Sequence, residues 1–258
     1  EGQVNFTKPG KWTDGTLSCD KQIMLDGRLK LPDIHPNKNS EWLNIWKNIA
    51  SRFASYRDTL IDSTEELTDG AVFSAISSML PDDSFTMLSN SFPIRDMSLF
   101  GAFSGKEMYT NRGAAGIDGI ISTSIGLSFS SHKSGCLLIG DIAFLHDSNG
   151  LLQAKNVSQP LVIIVLNNGG GTIFRMLPVH KLQTKYTNYF ETPQQTKIAD
   201  ICSAHNVPHA LVSKSDQIIP TFKKLMQKSG VHVMECITNP DLSMEQRHAL
   251  WNFKFDDD

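Results

Sequence analysis

From Ser40 onward the apolar positions recur at helical spacing. Trp42, Leu43, Ile45, Trp46, Ile49, Ala50 and Phe53 make a stripe at i, i+3, i+4 intervals, which predicts a helix. A second helix is predicted to begin near Ser63. Glu66 stands three residues later in capping-box position, and Val72, Phe73, Ile76 and Leu80 carry the apolar side. After Pro81-Asp82 the pattern becomes that of strands: SFTMLSNS (84–91), EMYTNRG (107–113), 136–140, 161–166, HALVSK (209–214) and VHVMECI (231–237). Helical stretches separate the later ones, over roughly 116–131, 143–157, 195–206 and 216–228. Strands alternating with helices predict an α/β fold: a parallel sheet with helices on both faces. The near-continuous apolar strands fit burial on both sides. Residues 1–40 show turn pairs (Pro9-Gly10, Asp14-Gly15, Asp26-Gly27, Pro32-Asp33, Pro36-Asn37) and little periodicity. They read as a linker or the tail of a preceding domain.

Composition narrows the class. A chain of 258 residues with 40% hydrophobic content can bury one large core or two small ones. The net charge of −3, without a long basic run, argues against nucleic acid as a partner. The four cysteines (Cys19, Cys136, Cys202 and Cys236) lack metal-ligand or C-x-x-C spacing, and three lie in apolar contexts. They read as reduced core thiols of an intracellular protein. No apolar stretch approaches the ~18–20 residues of a membrane helix, so no membrane span is expected. The chain opens with Glu rather than Met, and it reads as a piece of a longer polypeptide.

Two apolar runs change the picture. LLIGDIAFLHDSNG (137–150) breaks at Gly140-Asp141, and PLVIIVLNNGGGTIF (160–174) breaks at Asn167-Asn168 and three glycines. In open parallel sheets, ligands bind beyond the carboxyl ends of the strands, where both clusters fall. Asp141 follows a strand and opens a helix, near backbone N–H groups able to hold an anion. Asn167 and Asn168 offer neutral oxygens, and Gly169 to Gly171 let backbone approach closely. One carboxylate, one amide oxygen and one backbone carbonyl make half of an octahedral shell for Mg²⁺, completed by water and phosphate oxygens. Hard oxygen ligands suit Mg²⁺ or Mn²⁺ rather than zinc. Singly, an Asp after a strand is commonly a helix N-cap and Asn-Gly commonly a turn. Together, on successive strands, the clusters read as a site for a metal-bound diphosphate. A dinucleotide site would require G-x-G-x-x-G, which NNGGGTIF lacks.

These residues resemble a known family. Gly140-Asp141-Ile142, then 24 residues, then Asn167-Asn168, is similar to the thiamine-diphosphate signature, usually GDG followed by about two dozen residues and NN. Ile142 replaces the glycine usual at the third position, a departure shared by the 2-succinyl-5-enolpyruvyl-6-hydroxy-3-cyclohexene-1-carboxylate synthase branch. SNSFPIRD (89–96), NRGAAGIDGIISTSIG (111–126), GDIAFLHDSNGL (140–151) and NNGGGTIFRMLP (167–178) resemble the same branch in family order, with a cyanobacterial and plant-type cast. The similarity covers about residues 63–240. It implies a diphosphate- and metal-binding domain over 63–258, with 1–62 as a linker and the end of a middle domain.

The resemblance implies roles residue by residue. Asp141 and Asn168 would be side-chain ligands of Mg²⁺ or Mn²⁺ and Gly170 the carbonyl ligand, with Asn167 fixing the loop. Gly140, Asp141, Ile142, Asn168, Ile173 and Phe174 would contact thiamine diphosphate. Ile117 would prop the cofactor into its bent shape, although sequence alone would place it in the core. Ser91, Arg95, Arg112 and Leu177 would serve the substrates, 2-oxoglutarate and isochorismate, whose carboxylates suit guanidinium groups. His146 and Asp147 read as a helix-surface residue or a supporting hydrogen bond rather than an acid–base pair. No catalytic residue is assignable, because the glutamate that activates the cofactor belongs to a pyrimidine-binding domain for which this chain shows no counterpart. The implied whole is a carboligase of menaquinone or phylloquinone biosynthesis, acting as a homo-oligomer (dimer or tetramer), in a cytoplasm or a plastid. This segment alone is expected to be inactive. The alternatives are another thiamine-diphosphate carboligase or decarboxylase, and a non-catalytic remnant that acts as a binding module.

Overall fold

The computed structural model describes residues 4–7, 21–24, 40–102, 107–182 and 184–254. The turn pairs between Pro9 and Asn37, and Cys19, lie outside the described residues. The chain divides into a smaller unit, Glu1–Asn48, and a larger one, Ile49–Asp258. In the smaller unit β1 (Val4–Thr7) and β2 (Lys21–Met24) pair in parallel, with Val4 opposite Lys21. Turn pairs crowd the sequence around these two short strands, so the local pattern there reads as turns.

The larger unit contains an all-parallel six-stranded sheet in the order β4–β3–β5–β6–β8–β7. The strands are β3 (Ser84–Leu88), β4 (Glu107–Thr110), β5 (Ser134–Gly140), β6 (Leu161–Asn167), β7 (His209–Val212) and β8 (Val231–Ile237). Their side chains alternate between two cores. Cys136, Leu138, Val162, Ile164, Met234 and Cys236 join one. Leu137, Ile139, Leu161, Ile163, Val165 and Val233 join the other. Such alternation between two fully buried faces is what makes the strands read as unbroken apolar runs. Helices α2 (Asp69–Met79), α3 (Phe92–Phe100), α8 (Ser215–Met226) and α9 (Pro240–Trp251) supply the first core through Phe73, Phe100, Phe222 and Leu250. Helices α4 (Ile120–Ser131), α5 (Asp141–His146) and α7 (Ile198–Ala204) supply the second through Ile121, Phe144 and Cys202. The expected fold class is therefore borne out. No described helix is long and apolar enough to cross a membrane.

Boundaries differ where long-range contacts override local signals. The first helix, α1, runs from Glu41 to Asp62, but its early apolar stripe is not core: Trp42, Ile45 and Trp46 are exposed. Phe53, Tyr56, Leu60 and Ile61 pack on the core of the larger unit instead. The second helix starts at Asp69, not near Ser63. Its N-cap is Thr68, whose hydroxyl accepts from Ala71 N–H. Ser63 instead donates to the Leu60 carbonyl at the end of α1, and Glu66 accepts from Asn239. α4 begins at Ile120 rather than 116, because Gly113, Ala115 and Gly119 adopt positive φ. α5 stops at His146 and tightens into a 3₁₀ stretch, Ser148–Asn156. The turn is fixed by Asp147, whose carboxylate accepts from the Ser122 N–H and hydroxyl and so caps α4. A single turn, α6 (Thr184–Tyr186), enters a π-helical turn at Thr187–Glu191. Helices α3 and α9 were absent from the sequence reading. Asn239, accepting from Asp241 and Leu242 N–H with Pro240 at the first turn, was a readable start signal for α9.

Candidate functional site

The chain leaves β3 toward β4 on one side and β5 toward β6 on the other, so a crevice forms where the order reverses. Loops following β3, β4, β5 and β6 meet there around a cavity of about 400 Å³. Its lining includes Ser91, Arg95, Arg112, Ile117, Gly140, Asp141, Ile142, Asn168, Gly170, Ile173 and Phe174. Four sequence blocks, more than 80 residues apart at their extremes, are thus brought to one place. Leu177 is the exception. It is half exposed and does not line the cavity. It directly follows the 3₁₀ turn Thr172–Met176, in extended backbone.

Each loop is held by its own chemistry. Ser91 has φ 76° and ψ −135°, a conformation that costs a non-glycine residue about 1–3 kcal/mol. It starts α3 without giving its hydroxyl to the helix, and Arg95 Nη1 donates to its carbonyl at 2.6 Å. Asn90 Nδ2 donates to the Asn111 and Gly116 carbonyls at 3.0 and 2.6 Å, tying the loop after β3 to the loop after β4. Arg112 Nη1 lies 3.5 Å from Asn90 Oδ1. In the loop after β6, Gly169 and Gly170 take φ of 84° and 138°. A Cβ at Gly170 would collide with the Glu191 carbonyl, which accepts from Gly171 N–H at 2.7 Å. Asn167 donates to Glu235 at 2.7 Å, and Glu235 in turn meets His209 at 2.7 Å, so Asn167 anchors the strand end. Asp147 caps α4 as described, and His146 is exposed.

The electrostatics centre on Asp141. It is 7% exposed, and burial pushes its carboxyl up to about 7. The backbone N–H groups of Ile142, Gly170 and Gly169 pull the other way, and the charge of Asp69 adds to the rise. Asp69 accepts from Asn168 Nδ2 at 3.1 Å, which leaves Asn168 Oδ1 as the end available to a ligand. The Gly170 carbonyl accepts from Thr172 N–H at 2.8 Å, using one of its two lone pairs. Among buried side chains here, Asp69 and Asp96 share a single guanidinium, that of Arg247, while Asp141, close enough to feel the charge of Asp69, is met by backbone N–H groups. This surplus of negative charge beside neutral oxygen donors fits a divalent hard cation. Among the described residues, no group of three or more His, Cys, Asp or Glu could hold a metal without amide or carbonyl help. Asp69, Asn90, Asp96 and Arg247 escaped the sequence reading. Only Asn90 and Asp96, inside the SNSFPIRD block, carried a local signal.

Residues 97–236 match the model of one protein family, described as thiamine pyrophosphate enzyme, C-terminal TPP binding domain. The chain is 34% identical over 220 residues to a 2-succinyl-5-enolpyruvyl-6-hydroxy-3-cyclohexene-1-carboxylate synthase of Trichormus variabilis, covering 84% of this chain and 37% of the relative. It is 33% identical over 252 residues to the Geobacillus kaustophilus synthase of the same name, covering 94% of this chain and 43% of the relative. The chain thus spans about two fifths of the length of these relatives. Among solved structures, it resembles a protein from Mycobacterium smegmatis described as a candidate thiamin diphosphate-dependent enzyme. That likeness has a TM-score of 0.61 at 16% identity and covers 93% of this chain and 44% of the other; it shows the fold.

Proposed function

Because the chain belongs to the thiamine pyrophosphate enzyme family, carrying its C-terminal cofactor-binding domain, we propose that it is the diphosphate- and metal-binding part of a carboligase. The reaction would be decarboxylation of 2-oxoglutarate and addition of the resulting four-carbon acyl unit to isochorismate. The similarity to the cyclohexene-carboxylate synthases supports this reaction. The observation that carries the reading is the cavity itself, which unites Asp141, Asn168 and Gly170 with Ser91, Arg95 and Arg112.

In this reading Asp141, Asn168 Oδ1 and the Gly170 carbonyl hold Mg²⁺ or Mn²⁺. Gly140, Ile142, Ile173 and Phe174 enclose the cofactor, and Ile117 supports it from the loop after β4. Thiamine diphosphate, once bound, supplies the carbanion chemistry that decarboxylation of a 2-oxo acid requires. Arg95 and Arg112 compensate substrate carboxylates, Arg95 reaching the cavity from the first turn of α3 and Arg112 from the loop after β4. Ser91 offers a hydroxyl that the α3 start leaves uncommitted. Leu177, exposed in this chain, would act only where a further domain or subunit approaches it. The assembly would be a homo-oligomer, with the activating glutamate on a pyrimidine-binding domain outside this chain. Residues 1–62 would be the linker and the end of a middle domain, and 63–258 the binding domain.

Calorimetry of thiamine diphosphate with Mg²⁺, on this chain and on the full-length protein, tests the binding role. Assay of isochorismate against pyruvate as substrate tests the reaction. Metal-dependent binding and turnover of 2-oxoglutarate with isochorismate by the full-length protein are expected, with turnover absent from the 258-residue chain. Heat of binding unaffected by chelating the metal would overturn the site, and preference for pyruvate would overturn the reaction.

A further inference from the structure

The buried charges behind the cavity form a directed chain. Asp96 takes two hydrogen bonds from Arg247, Nε to Oδ1 at 2.8 Å and Nη2 to Oδ2 at 2.5 Å. The same Nη2 donates to Asp69 Oδ2 at 2.6 Å. Asp69 Oδ1 accepts from the Thr238 hydroxyl at 2.6 Å, and its Oδ2 also accepts from Asn168 Nδ2. Arg247 and Asp69 are 1% exposed and Asp96 is fully buried, so water does not compete for the bonds among these three. The guanidinium also lies 3.8 Å from the centroid of the Phe92 ring, which lines the cavity. Two elements far from α2 in sequence are therefore committed to holding its Asp69 carboxylate: the segment after β8 supplies Thr238, and α9 supplies Arg247.

An asparagine amide can flip, presenting either its NH₂ or its oxygen to a ligand. A carboxylate has no proton to donate, so one fixed beside Asn168 can accept only from Nδ2. We propose that Asp69 is a positioning residue: it locks the Asn168 amide so that Oδ1 faces the metal, while Arg247 and Thr238 hold Asp69 in place. The inference rests on the reading of Asn168 as a metal ligand. It adds a residue that lines the same cavity but is itself occupied by other protein groups. Outer partners of this kind typically set metal affinity by about 10–100-fold. Arg247 then serves a second purpose: its guanidinium gives the buried Asp69 carboxylate the paired partner that burial requires, a partner it shares with Asp96.

The test is Mn²⁺ affinity, followed by electron paramagnetic resonance at saturating thiamine diphosphate in the full-length protein, with circular dichroism reporting the fold. Asp69→Ala is expected to weaken Mn²⁺ by about 10–100-fold. Asp69→Asn should largely restore affinity, since its Oδ1 can still accept from Asn168 and Arg247 while its NH₂ meets the Thr238 oxygen. In an Asn168→Ala background, Asp69→Ala should cost little more, because nothing remains to orient. If Asp69→Ala fails to fold, Thr238→Val decides. It keeps the side-chain volume, removes one anchor of Asp69 and should lower Mn²⁺ affinity by about tenfold. Should Asn168→Ala itself leave Mn²⁺ affinity unchanged, the ligand assignment is wrong. Should Asn168→Ala weaken it while a folded Asp69→Ala does not, only the positioning role is lost. A merely structural Asp69 would lower the melting temperature and leave Mn²⁺ affinity intact.

Discussion

Replacing Asp141 with Asn separates what this carboxylate does for a ligand from what it costs the fold. Burial carries the group from 3.8 to about 7, against the pull of three backbone N–H groups. A rise of roughly three units corresponds to at most about 4 kcal/mol of destabilisation of the metal-free fold once the group is ionised in both states. The sign follows from proton binding. Below pH 3.8 the carboxyl is protonated whether folded or unfolded, and the penalty is absent. As pH rises, the unfolded chain ionises first, and stability is lost progressively until the folded group titrates near 7. Above that the penalty is complete.

Asn removes the titration, and its Oδ1 can keep the bond that Ile142 N–H donates to Asp141 at 2.7 Å. Its NH₂ takes over the buried position of the second carboxylate oxygen, so the gain falls short of the ceiling, at about 1–3 kcal/mol. Urea unfolding in EDTA at pH 5 and pH 8 measures it: the variant should gain on the parent between the two. With Mg²⁺ and thiamine diphosphate at about 100 times their dissociation constant, the parent should be stabilised by about 2.7 kcal/mol and the variant hardly at all. A variant less stable than the parent at pH 8 in EDTA would refute the account of burial. So would a difference equal at both pH values. A ligand-linked shift retained in full would refute the metal role.

Two further substitutions probe the same corner. Ser91→Gly removes the penalty of φ 76° and should raise stability by about 1 kcal/mol in urea, since glycine's larger unfolded-state entropy offsets part of the relief. Gly170→Ala forces a Cβ against the Glu191 carbonyl at φ 138° and should lower stability by about 2 kcal/mol or more, with the midpoint shifting at unchanged m-value.

What could be read along the chain followed from how local each signal is. A strand such as Leu161–Asn167, buried on both faces, announces itself in seven consecutive residues, and Asp141 and Asn168 sit directly after such runs. The cavity residues in short blocks were therefore accessible, and all but Leu177 line one cavity. The failures share a cause. Trp42, Ile45 and Trp46 had helical period, which fixes helix but not what the helix covers. Thr68 displaced Ser63 as a cap because Asp69 must reach both Ser243 and Thr238, contacts more than 160 residues away in sequence. Asp69, Asp96 and Arg247 look, one at a time, like a first-turn acid and two ordinary charges on helices. Their partnership exists only once α2, α3 and α9 are packed together.

The same residues explain why the fold departs from its own rules at one end. Along the sheet, local preference and burial agree: β-branched strands, capped helices and two apolar cores. At the carboxyl edge they conflict. Ser91 and Ala115 hold positive φ, Gly169 and Gly170 make a loop few side chains would tolerate, and the carboxyl groups of Asp69, Asp96 and Asp141 are buried. Each feature costs free energy, and none contributes to the packing of either core. Such costs persist where a surrounding structure over-determines them, and they collect at binding sites. Their convergence on a single cavity, fed by four loops, is a stronger pointer to ligand binding than any one of the residues. It also predicts where stability can be gained by substitution: at this edge, and at the expense of the ligand.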